Sequence, residues 1–101
     1  MYHLHQYRSE RLFDKLDYRD LWLSVRKITK TNNDWNYEEL SDENKDNLKI
    51  IFQYINEPID TQDIQLIDSN SGELTVRINE NNLHVFIWNY ERVRYVHYYD
   101  D

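Results

Sequence analysis

Cysteine is absent from this 101-residue chain, and glycine, proline and methionine occur once each. Without cysteine there is no disulfide, no thiolate nucleophile and no sulfur-ligated metal, and a reducing compartment is the natural setting. One glycine, Gly72, is too few for the glycine-rich loops that cradle phosphates. With one proline and no Ser/Gly-rich run or internal repeat there is no sign of a linker, so residues 1–101 read as a single domain. No apolar run approaches the roughly 18 residues of a membrane span, and Met1 to Glu10 lacks an apolar signal core. These absences predict a soluble cytoplasmic protein with no membrane contact.

What is present in quantity is aromatic and acidic. Nine Tyr, three Trp and three Phe offset a mean hydropathy of −0.95, supplying the large buried areas that disordered chains lack. Of the net charge of −7, the segment 31–70 carries −8, ten Asp or Glu against two Lys, while residues 1–30 sum to +3 and residues 71–101 to −2. A negative field gathered on one segment repels phosphates and attracts basic surfaces. Direct nucleic-acid binding is therefore disfavoured.

Periodicity predicts an α+β domain of two helices packed on a four-stranded antiparallel meander, with an optional extra N-terminal strand over Tyr2–Tyr7. Leu12, Phe13, Leu16, Tyr18, Leu21, Trp22, Val25 and Ile28 recur at three- and four-residue steps and predict a helix from about Glu10 to Lys30, broken near Asp17. After a connector with one helical turn over Trp35–Leu40, Ser41 offers a cap to a second helix. Its buried stripe is Leu48, Ile51, Phe52 and Ile55, and Asn56-Glu57-Pro58 ends it. From Asp63 the period becomes two. Ile64–Ile67, Leu74–Ile78, Leu83–Tyr90 and Val93–Tyr99 read as strands joined by connections too short for anything but antiparallel neighbours.

Three features could carry chemistry. Glu38, Asp42 and Asp46, and beside them Glu39 and Glu43, are spaced by four and would form two carboxylate rows about 6 Å per step if one helix ran through them. Asp34, Glu57, Asp60, Asp63 and Asp68 would extend that charge. The plain alternative is a solvated helix face with Lys45 and Lys49 pairing to Asp42 and Asp46. Along the third strand His84, Phe86, Trp88 and Tyr90 share one face, so these aromatics are either core or the anchors of a protein interface, and base stacking would need a cationic rim richer than Arg77, Arg92 and Arg94. His3, His5, His84 and His97 lie on segments that could adjoin, which makes a zinc site geometrically conceivable. No local ligand spacing supports one, so neither metal nor cofactor is expected.

No catalytic constellation stands out. Asp14, Asp17 and Asp20 interleave with Arg11, Lys15 and Arg19 as ion pairs would, and Asp68-Ser69-Asn70-Ser71-Gly72 departs from a calcium loop in its glycine position and its closing residue, Asn79. The expectation is a non-enzymatic inhibitor, a monomer or weak homodimer, that offers Glu38, Glu39, Asp42, Glu43 and Asp46, with Trp88 and Tyr90, to a basic nucleic-acid-binding protein or nuclease. The strategy resembles that of small phage-encoded anti-restriction and anti-CRISPR proteins, a likeness of charge and size and not of sequence motif. The alternatives are an immunity-type or adaptor module docking through the aromatic sheet face, and a small-ligand or nucleotide sensor.

Overall fold

Each strand exposes backbone groups along both edges, and the order in which those edges pair organises the chain. A computed structural model describes residues 6–29, 34–57, 64–69, 72–79 and 81–100. The elements run β1 (Gln6–Asp14), α1 (Arg19–Ile28), β2 (Asp34–Asn36), a 3-10 turn (Tyr37–Glu39), α2 (Asp42–Ile55), β3 (Gln65–Ser69), β4 (Glu73–Asn79), β5 (Asn82–Trp88) and β6 (Arg92–Asp100). The six strands form one sheet in the order β1-β6-β5-β4-β3-β2, antiparallel at every step. The α+β class and the four-stranded meander β3–β6 are as read from the pattern, with an N-terminal strand added at one edge and the short β2 at the other.

Residues 10–14 correct the helical expectation. They continue β1, with Glu10 opposite Val96, Leu12 opposite Arg94 and Asp14 opposite Arg92. Neighbouring residues in a strand point to opposite faces, and here Phe13 is 1 % exposed while Leu12 is 58 % exposed. A turn follows, with Leu16 in solvent and the Tyr18 amide donating to the Asp14 carbonyl, and α1 then starts at Arg19. Most of the strand expected over Tyr2–Tyr7 falls outside the described residues.

The helices cover one face of the sheet. Leu21, Trp22, Val25 and Ile28 of α1 and Leu48, Ile51 and Phe52 of α2 form one core with Phe13, Leu66, Leu74, Val76, Phe86, Val93 and Tyr95. Phe13, Tyr18 and Tyr54 meet edge to face, with centroids 4.9 to 6.1 Å apart, locking β1 to the end of α2. The other sheet face carries the alternate residues. There Glu10 accepts hydrogen bonds from Arg8 and from Arg94 (2.7 Å), which hold its carboxyl below the ordinary range.

Ser41 caps α2 as its sequence implies, its hydroxyl accepting from the Asn44 amide, and Asp42 and Glu43 occupy the first turn beside the positive end of the helix dipole. At the far end Asn56 adopts a left-handed conformation (φ 57°), and the amides of Asn56 and Glu57 both donate to the Phe52 carbonyl. Replacing Phe13 by Ala should cost about 3–4 kcal/mol in urea denaturation, whereas Leu12→Thr should stay within about 0.5 kcal/mol. Equal losses would contradict a strand that turns one residue in and the next one out.

Candidate functional site

The acidic residues sit where the chain enters α2. Glu38, Glu39, Asp42, Glu43 and Asp46 are all exposed. They do not form two unbroken rows, because the 3-10 turn ends at Glu39 and α2 begins only at Asp42. Leu40 is the reason: its backbone is extended, its side chain enters the core, and Ser41 behind it serves as cap. Helical spacing survives among Asp42, Glu43 and Asp46, while Glu38 and Glu39 approach from the turn. Glu39 accepts a hydrogen bond from Asn36 Nδ2 (3.1 Å), and Asp46 lies 3.8 Å from Lys49. Lys45 does not pair with Asp42 but lies over the Tyr37 ring. Among the described residues Glu38, Asp42 and Glu43 have no cationic partner.

The rest of the acidic segment divides. Asp60 and Asp63 lie outside the described residues, and Glu57 turns inward at the opposite end of α2. The 14 residues of that helix span about 20 Å, so the exposed acids and Glu57 belong to different ends of the fold.

The aromatic face of β5 is the one the helices cover. His84 and Phe86 are fully buried, and Trp88 is half-buried against Trp22 with Nε1 donating to Thr29 Oγ1 at 2.7 Å. Gly72 packs beside it, where an added Cβ would lie 3.5 Å from the indole. Tyr90 stands in solvent in the β5–β6 turn, which Asn89 closes by accepting from the amides of Glu91 and Arg92. Trp88 and Tyr90 thus occupy unlike environments two residues apart.

Deeper in the same face the structure assembles a polar cluster. His84 is 0 % exposed, yet both ring nitrogens are bonded: Nδ1 lies 2.6 Å from Tyr95 Oη and Nε2 lies 3.2 Å from Glu57 Oε1. A carboxylate can only accept, so Nε2 carries the proton, Nδ1 the lone pair, and the Tyr95 hydroxyl donates. Asn82 Nδ2 donates to the same Glu57 oxygen (3.0 Å), and Asn82 Oδ1 meets His97 Nε2 at 2.6 Å. The His84 and His97 rings stack with centroids 4.0 Å apart and planes 12° from parallel.

Burial pushes the His84 imidazolium down to about 4, with His97 adding to the shift and Glu57 opposing it. Burial also lowers His97 and raises the Tyr95 phenol. At neutral pH the His84–Glu57 contact is therefore a neutral ring donating to a carboxylate, not an ion pair. A ring with no exposed surface does not meet a bulky substrate, and with its sites filled as they are here His84 positions Glu57.

His3 and His5 lie outside the described residues, but His84 and His97 do converge. Sequence reasoning could have found that pair with the turn in register, since Trp88 opposite Val93 across residues 89–92 places His84 across from His97. Nothing in the letters points to Glu57 as the third member. Glu57 also lines a cavity of about 290 Å³ together with Lys49, Phe52 and Gln53, so the cluster has one side toward solvent. Among the described residues, no helix is long and apolar enough to cross a membrane.

No family model, curated protein or solved structure matches the chain.

The histidine cluster makes stability depend on pH. Between an unfolded value of 6.5 and a folded value of about 4, the native state binds fewer protons than the unfolded chain, so stability is full above pH 6.5 and falls on acidification. In chelator-containing buffer, lowering the pH from 7.5 to 5 should remove about 2 kcal/mol from the urea-derived stability. His84→Gln should make the slope shallower. An unchanging midpoint across that range would contradict a buried neutral His84.

Proposed function

We propose that this chain is a small acidic protein-binding domain that sets the carboxylates at the start of α2 against a cationic surface of a partner and so denies that surface to nucleic acid. The supporting observation is five exposed carboxylates, Glu38, Glu39, Asp42, Glu43 and Asp46, within nine residues, of which Asp46 alone lies near a described lysine. Stabilising a helix N-terminus accounts for Asp42 and Glu43. It does not account for Glu38, Glu39 and Asp46.

Asp42 and Asp46, on successive turns of α2, lie about 6 Å apart, close to the separation of phosphates along a strand, and with Glu38 and Glu39 approaching from the preceding turn a groove lined with Lys and Arg can accept them in place of phosphates. Such docking is electrostatically steered and weakens with salt. The aromatic-face alternative has little exposed surface to use, since of His84, Phe86, Trp88 and Tyr90 only Tyr90 stands in solvent.

The decisive variant neutralises the three acids that have no capping role: Glu38→Gln, Glu39→Gln and Asp46→Asn, with folding checked by circular dichroism. Wild-type protein should capture basic nucleic-acid-handling proteins from nuclease-treated lysate and release them to 0.5 M salt or to added duplex DNA, a test concentration about fivefold above that giving a 10 Å screening length. The variant should lose most of that prey. Identical prey with identical salt response from both proteins would overturn the reading.

A further inference from the structure

We propose that Glu57, His84 and His97 form a binding site for a divalent transition ion of the zinc class. The three side chains come from the turn after α2, from β5 and from β6, and one ligand atom from each lies within 4.8 Å of the others. Two imidazoles and a carboxylate suit zinc, cobalt or nickel better than magnesium or calcium, which favour all-oxygen sets. The 3.2 Å between Glu57 Oε1 and His84 Nε2 is close to the edge of a tetrahedron with metal–ligand bonds of about 2.0–2.1 Å.

Groups behind the ligands are also in place. When Nε2 of His84 gives its lone pair to a metal, the ring proton moves to Nδ1, and Tyr95 Oη, now 2.6 Å away as donor, becomes the acceptor by rotating its hydroxyl. Asn82 holds Glu57 through its amide nitrogen, and its amide oxygen now meets His97 Nε2, a bond that ring gives up when it turns to the ion. Glu57, which also lines a cavity of about 290 Å³ with Lys49, Phe52 and Gln53, is the ligand through which the cluster meets solvent.

One rearrangement is required. Near-parallel rings 4.0 Å apart cannot both aim in-plane lone pairs at one ion, so His97 must rotate out of the stack. It is half-buried, whereas His84 is enclosed, which makes His97 the ring that moves. Metal binding should therefore shift the ring resonances of both His84, whose tautomer changes, and His97, whose ring turns, and those of no other histidine.

The test uses chelator-stripped full-length protein, titrated with Zn²⁺ by calorimetry and with Co²⁺ by visible absorption. One equivalent should bind, and Glu57→Gln and His97→Asn, both at groups with some exposure, should each weaken binding at least ~10-fold. Circular dichroism of the metal-free variants should match that of wild type. His3→Gln with His5→Gln should leave binding intact. Absence of stoichiometric binding, binding indifferent to Glu57→Gln and His97→Asn, or binding abolished by the His3 and His5 substitutions would each overturn the proposal.

Discussion

A histidine without exposed surface must find partners for both of its ring nitrogens, and in this fold the second partner is the residue that follows α2. The chain Tyr95–His84–Glu57 ties β6, β5 and the helix end together, and Asn82 and His97 close it into a network. Leaving one such buried group unpaired costs about 1–3 kcal/mol. That constraint fixes where α2 stops over the sheet. Asn56 in the left-handed conformation is the local device that turns Glu57 toward His84.

Fixing one end of α2 also fixes the other. With Glu57 held at the sheet and Leu48, Ile51 and Phe52 in the core, the N-terminal turn of α2 projects Asp42, Glu43 and Asp46 outward, and Leu40 anchors the preceding turn so that Glu38 and Glu39 join them. The two ends of one helix thus carry acids in opposite conditions. Those at the start are exposed and largely unneutralised, and the one at the finish is half-buried and hydrogen-bonded. Charge counted along the sequence treats them alike, although only the first group can act on a distant partner.

The extent to which the letters foretold this follows from which signals are local. The α2 cap, its stripe and the four meander strands depend on near neighbours, and they emerge with boundaries shifted by a residue or two. Residues 10–14 mislead because Leu12-Phe13-Leu16 satisfies a helical step as well as a strand one. The choice is made far away by β6, whose nine residues need a partner along their free edge. The carboxylate rows break at Leu40 for a similar reason, since core burial outweighs continued helix. Trp88 reads as an anchor or as core from spacing alone, and only the position of Trp22 and Thr29 decides. His84 and His97 were within reach of hairpin register, but Glu57 required the tertiary fold.

The network that joins α2 to the sheet depends on the protonation of His84, which long-range nitrogen–proton correlation spectra of the imidazole rings report. In metal-free protein at pH 7 the ring should be neutral with its proton on Nε2, unchanged down to pH 5.5. A proton on Nδ1, or a ring that charges with a midpoint near 6.5, would contradict that network.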